Sequence, residues 1–195
     1  MRRTPAAALT VFLIVALLTL TGCSTWFDSR AKPANEAISI ANTHLQKATA
    51  AGSAVTSSAL ELGSVPYTMG GFASAIGLTT QIEKDLATQK AELGSAKAAI
   101  DSITAMDVSP ELKAYASLES TAIATRVKAV DLNTELYNEM NMLFSARSKG
   151  AKTVEYQPIL TRIDEIKTEL GTVSQQAAQQ VQAAADYFSS KRLGG

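Results

Sequence analysis

The chain has 195 residues, of which 46% are hydrophobic, 18% charged and 6% aromatic, and its 18 Lys and Arg side chains balance 18 Asp and Glu. This length predicts one folded domain plus a targeting segment, and the neutral balance provides no basic field for nucleic acid, so we expect no nucleic-acid partner. One cysteine and one histidine exclude disulfide frameworks, CxxC redox pairs, Cys/His zinc sites and haem-attachment motifs.

The first 22 residues have the pattern of a signal peptide. Two arginines form a positively charged start, and residues 6–20 form an uncharged, largely apolar run that is too short to span a membrane comfortably. The next four residues, Leu20-Thr21-Gly22-Cys23, resemble the lipobox of bacterial lipoprotein precursors. The resemblance covers this leader, and the remainder of the chain resembles no family.

The lipobox resemblance implies that Leu20, Thr21 and Gly22 are recognised by signal peptidase II, that residues 1–22 are removed, and that the sulfur of Cys23 carries a diacylglyceryl group. Two acyl chains suffice for stable membrane anchoring. The expected location is the bacterial cell envelope. In a Gram-negative cell this is the outer membrane, at its periplasmic or surface face; otherwise it is the outer face of the cell membrane. The alternative is a secretory leader or signal anchor in which Cys23 is incidental.

Residues 23–32 form a short polar tether that carries the adjacent aromatics Trp26 and Phe27. These rings either lie in the membrane interface or belong to a disordered linker. Residues 191–195 are interpreted as a frayed C-terminal tail. The folded domain is therefore expected over residues 33–190.

Apolar residues in this domain recur at helical spacing. The pattern predicts four helices: the first begins after Pro33, the second follows from Phe72, the third runs from Pro110 to Ser148, and the fourth restarts at Pro158. No stretch shows the alternation of a strand, so we predict an all-α fold, an elongated antiparallel up-down-up-down four-helix bundle with coiled-coil-like seams. Many seam positions hold Ala, Ser, Thr or Gly, which predicts a thin core.

Several polar residues are candidates for a metal-binding or catalytic site. His44 flanks the seam position Leu45 and is interpreted as an ordinary boundary residue. Asp131, Glu135 and Glu139 recur every four residues, where a hard cation could bind, although a solvated acidic face is the simpler interpretation. We therefore predict no metal and no cofactor.

Glu119, Arg126 and Asn133 recur at seven-residue spacing on the third predicted helix. They form either a buried polar layer that fixes helix register or a solvent-exposed row. The chain contains no nucleophile, dinucleotide or phosphate-loop motif, so we predict that the protein is not an enzyme.

One segment departs from this background because it carries no charge between Glu61 and Glu83. Its centre, residues 63–71, is a predicted loop that either plugs the end of the bundle or exposes an apolar patch. The topology places this loop and the loop at 149–157 together, far from the anchor. The candidate partner-binding tip comprises Tyr67, Met69, Phe72 and Tyr156.

The sequence therefore predicts a lipid-anchored cell-envelope protein of the non-enzymatic interaction or scaffold type. Its expected contacts are the membrane, through lipidated Cys23, and a protein partner at the tip or a second copy of the chain. The alternative is a helical-bundle carrier that binds an apolar small molecule in its core.

Overall fold

The computed structural model describes residues 31–191 and Leu193, and these residues form four long α-helices. The leader, the lipobox and most of the tether, with their predicted roles, lie outside the described residues. No strand occurs in the described part of the chain, and the prediction of an all-α four-helix bundle is confirmed. The helices are α1 (Lys32–Ser64), α2 (Met69–Ser102), α3 (Pro110–Ser148) and α4 (Thr153–Ser190), with a 3₁₀ turn at Ile103–Ala105.

Each helix runs antiparallel to the one before it. Between α2 and α3, for example, Lys90 pairs with Asp131 and Asp101 with Ser120, so the partner's number falls as the residue number rises. Within the described residues, every interhelical ion pair and hydrogen bond joins helices that are consecutive in the chain. The ion pairs and shorter hydrogen bonds are His44–Glu92, Lys90–Asp131, Asp101–Ser120, Lys128–Glu169 and Glu135–Arg162.

This topology gives the bundle two different ends. The two-loop end, as we call it, holds the α1/α2 turn (residues 65–68) and the α3/α4 turn (residues 149–152). The opposite end holds the start of α1, the α2/α3 turn and the end of α4. Helix α1 has 33 residues, so it carries the chain about 50 Å from one end to the other.

Helix α3 begins as its sequence predicts. Ser109 is the N-cap, and its Oγ accepts a hydrogen bond from the backbone N–H of Leu112 at 3.2 Å. Pro110 occupies the first turn, where its missing N–H costs nothing, and Glu111 adds negative charge at the positive end of the helix dipole.

The start of α4 differs from the prediction. The helix begins at Thr153 rather than Pro158, which lies inside it and is exposed. The first turn is held by Glu155, whose carboxylate accepts the Lys152 N–H at 3.1 Å while its own N–H bonds the Lys152 carbonyl at 2.9 Å. Pro158 is the sixth residue of α4 and has no N–H, so one intrahelical hydrogen bond is missing at that position. The predicted loops at 63–71 and 149–157 are accordingly too long.

The core is a continuous cluster to which the four helices contribute unequally. In α1, Val55 and Leu62 are the only buried residues larger than alanine. Helix α3 supplies larger side chains to the core, including Tyr115 and Tyr137, which are almost fully buried. The core therefore combines a helix of mostly small buried residues with one that contributes large ones. Most of the predicted seam is buried, whereas Ile38 and Leu45 are half-buried.

Three glycines inside helices lower stability without a structural need. A Cβ added at Gly77, Gly94 or Gly171 would have no atom within 4 Å. Replacing each with alanine is expected to raise the free energy of unfolding by about 0.5–1 kcal/mol, because glycine loses more backbone entropy in a helix. Urea unfolding of the single and triple variants measures this gain.

A matched control for these variants is Gly150→Ala. This site is equally open, but its φ of +77° lies in the left-handed region, where it ends α3. We expect a loss of about 1 kcal/mol there. A loss of stability in the triple variant would contradict the prediction.

Candidate functional site

Aromatic side chains from three helices and one turn converge at the two-loop end. The Tyr67 ring meets the Phe72 ring edge-on at 6.0 Å between centroids, and Phe72 stacks against Phe144 at 6.4 Å. Tyr156 closes the group from α4 and is 7% exposed. We call Tyr67, Phe72, Phe144 and Tyr156 the aromatic cluster.

Arg147 joins the two halves of this cluster. Its guanidinium carbon lies 5.1 Å from the Tyr67 ring centroid and 4.8 Å from that of Tyr156, so one cation contacts two aromatic rings. Its Nε is buried and has no hydrogen-bond partner among the residues that the structure describes. Among the residues that the structure describes, no carboxylate lies within ion-pair distance of Arg147. The rings stabilise its charge but leave it without a counter-ion.

The α1/α2 turn that carries Tyr67 is held by a close backbone approach. The Thr68 Oγ1 caps α2 by accepting the Gly71 N–H at 3.1 Å, and the Thr68 N–H bonds the Pro66 carbonyl at 2.8 Å. A Cβ on Gly71 would lie 1.9 Å from that carbonyl oxygen, so only glycine fits. These contacts define the backbone of the turn that presents Tyr67.

Large apolar side chains are exposed mainly at this end. Among the described residues, seven such side chains are exposed, and five of them lie within about two helical turns of the two-loop end. The four largest exposed fractions are 78% at Val154, 74% at Tyr67, 73% at Leu60 and 62% at Met69. Scattered exposed apolar residues are ordinary, but a concentration of them marks an interaction surface.

The structure separates the four predicted tip residues into two kinds. Tyr67 and Met69 are exposed, Phe72 is half-buried, and Tyr156 is buried in the core cluster. Phe72 and Tyr156 therefore pack against the core, while Tyr67 and Met69 face solvent. Arg147 was missed by the sequence analysis because a basic residue in the last turn of a helix is the ordinary partner of the helix dipole.

The cation–π contact predicts an energetic coupling between Arg147 and Tyr156. A double-mutant cycle on Arg147→Met and Tyr156→Leu is expected to give a coupling of about 0.5–1 kcal/mol in urea unfolding. Lys191 and Tyr187 are the control pair, since Nζ lies 5.8 Å from the ring centroid at the opposite end. A coupling at Arg147 no larger than at this exposed pair would contradict the interpretation.

A second polar feature lies on the face of α3 toward the core. Glu119 and Arg126 are half-buried and lie two turns apart in a row that includes the buried Leu112 and Met140. Burial raises the pKa of Glu119, and nearby Arg126 partly offsets that rise. Asn133 continues the row, and its side-chain N–H donates to the Ala129 carbonyl at 3.1 Å. The row is therefore partly enclosed.

The acidic residues of α3 point in different directions. Asp131 pairs with Lys90 on α2 at 2.7 Å, whereas Glu135 accepts from Arg162 Nε on α4 at 2.8 Å. No group of three or more His, Cys, Asp or Glu side chains within the described residues is placed to bind a metal ion.

His44 connects the first two helices. Its Nδ1 lies 2.6 Å from Glu92 Oε2, so the pair joins α1 to α2.

The chain matches no protein-family model, no curated protein and no solved structure. Within residues 31–191, no helix combines the length and the hydrophobicity needed to cross a membrane. The aromatic cluster and the exposed apolar side chains around it are therefore the best-defined candidate site, and its geometry is the basis for a functional proposal.

Proposed function

We propose that this chain is a lipid-anchored protein of the bacterial cell envelope that acts without catalysis, as a scaffold or adaptor. Its helical bundle holds a partner-binding surface about 50 Å from the membrane that anchors Cys23. The observation that carries the proposal is the exposure of Tyr67, Met69 and Val154 at the end of the bundle opposite the start of α1.

The contacts of Tyr67 support a binding role. Its ring touches Phe72 and Arg147 and follows the capped turn at Thr68, so it has less conformational freedom to lose when a partner covers it. Pre-ordered aromatic anchors of this kind are typical of residues that dominate protein interfaces. Tyr67, Met69 and Val154 are 62–78% exposed, and apolar surface of this kind lowers solubility unless a partner covers it.

The lipobox resemblance supports the anchor, and a cysteine variant tests it. In cells grown with a clickable palmitate analogue, the native chain is expected to be labelled and to fractionate with membranes, whereas Cys23→Ser loses the label. A Cys23→Ser/Ser29→Cys variant is the control, since it restores the thiol outside the lipobox. Labelling of either variant would contradict the assignment of Cys23.

Photo-crosslinking in cells tests the partner. A photoreactive residue at Met69 or Val154 is expected to form a discrete protein adduct. The same residue at Ser95, which is exposed on α2 far from the two-loop end, gives the background. Adducts at Met69 and Val154 that do not exceed those at Ser95, or that carry lipid alone, would overturn the interaction proposal.

A further inference from the structure

We propose that the partner of the two-loop end is another protein that presents an acidic segment with apolar side chains. The inference rests on the proposed function and adds the chemistry of the partner. It combines the exposed apolar side chains with the unbalanced positive charge that lies beside them.

The charge at this end comes from the α3/α4 connection. Arg147, Lys149 and Lys152 lie within six consecutive residues, and both lysines are exposed. Within the described residues, none of the three has a carboxylate inside ion-pair distance. The nearest acidic residue along the chain, Glu155, already uses its carboxylate to accept the Lys152 backbone N–H.

The facing α1/α2 turn carries no charge, so Glu61 at the end of α1 and Glu155 are the two carboxylates that stand against the three cations of this end. No ionisable acid or base other than Tyr67 occurs from Leu62 to Ile82, so the apolar surface of Tyr67 and Met69 borders the basic connection directly along the end of the bundle. A complementary partner therefore carries carboxylates next to apolar groups. Elsewhere among the described residues, five of the eleven Lys and Arg side chains form ion pairs, as in Lys90–Asp131 and Lys128–Glu169.

Arg147 is suited to bind a carboxylate. Its guanidinium lies beside the Tyr67 and Tyr156 rings, which restricts its movement before binding. A fixed planar guanidinium matches a carboxylate better than a flexible ammonium group does. A bilayer is the less suitable surface, because three cations supply little attraction to anionic headgroups and the anchored leaflet lies at the other end of α1.

Charge reversal tests the inference within the crosslinking experiment. The full-length chain carries the photoreactive residue at Met69, alone or with Lys149→Glu and Lys152→Glu. We expect the double reversal to reduce the protein adduct about fivefold or more, since attraction is replaced by repulsion. Lys47→Glu is the control, because Lys47 is exposed in the middle of α1, about 25 Å from the two-loop end, and its reversal is expected to leave the adduct unchanged.

Mass mapping of the crosslinked peptide completes the test. Support requires an adduct that depends on Lys149 and Lys152 and maps to a segment of another protein containing Asp or Glu. A protein adduct that survives the reversal, maps to a segment without carboxylates, or joins two copies of this chain overturns the inference and leaves the interaction proposal standing. Absence of any adduct above the Ser95 background, or an adduct of lipid alone, overturns both.

Discussion

Gly71→Ala is expected to lower the free energy of unfolding by about 1–3 kcal/mol. The added Cβ would lie 1.9 Å from the Pro66 carbonyl oxygen, which is backbone and cannot rotate away. Relief requires the turn at residues 65–68 to move, and this movement displaces Tyr67 from Arg147. The variant should therefore lose stability and also weaken partner binding. Urea unfolding measures the first effect, and the yield of the Met69 adduct measures the second.

The neighbouring glycine is a close control. Gly70 also lies in the first turn of α2, yet a Cβ there would meet nothing within 4 Å. Gly70→Ala is expected to be neutral or to stabilise by up to about 1 kcal/mol, since alanine is the better helix former. Equal losses in the two variants would show that the backbone contact at Pro66 is not what selects Gly71.

The second large effect is expected in the core row of α3. Replacing Glu119 and Arg126 together with methionine should stabilise the bundle by about 1–2 kcal/mol, because two charges are then no longer desolvated on folding. Either single replacement should be less stable than the double variant. Arg126→Met leaves a half-buried carboxylate without its neighbouring cation, and Glu119→Met does the reverse.

The effect on Glu119 depends on pH. Its pKa in the folded chain is raised above the ordinary value of 4.5 by burial. The stability associated with the protonated carboxyl is fully present below that ordinary value and is lost as pH rises through the folded pKa. The advantage of the double variant should therefore grow as the pH is raised from about 4.5 to neutrality.

An exposed ion pair provides the comparison for these variants. Lys128 and Glu169 lie 2.9 Å apart on the surface of α3 and α4. Their joint replacement by methionine is expected to change stability by about 0.5 kcal/mol or less, since exposed pairs contribute little. A similar gain at both pairs, or an advantage at Glu119 and Arg126 that does not vary with pH, would contradict the role assigned to burial.

The helices could be predicted because their information is local. The seam of α2 fixes its buried face without reference to other helices, and Ser109-Pro110-Glu111 defines the start of α3 within three residues. The start of α4 could not be predicted in this way. Pro158 is a strong local signal for a helix start. The helix nevertheless begins five residues earlier, at Thr153, where the reciprocal hydrogen bonds of Lys152 and Glu155 hold its first turn.

The candidate site could be predicted in part for a similar reason. Antiparallel topology brings Tyr67 and Tyr156 to the same end of the bundle, and this convergence follows from helix order alone. Which side chains remain exposed there depends on tertiary packing, and Tyr156 is buried while Met69 is not. The contact of Arg147 with two rings is also tertiary, since the rings belong to segments about 80 and nine residues away along the chain.

The placement of α1 has a mechanical consequence. This helix begins at Lys32 and delivers the chain directly to Tyr67, so a pull applied between these two points acts along its axis. The load then falls on the successive backbone hydrogen bonds of one helix, which resist stretching together, and does not peel α1 from its alanine-lined seam with α2. Helix α2 packs along the length of α1 and so supports the loaded helix from one side against buckling.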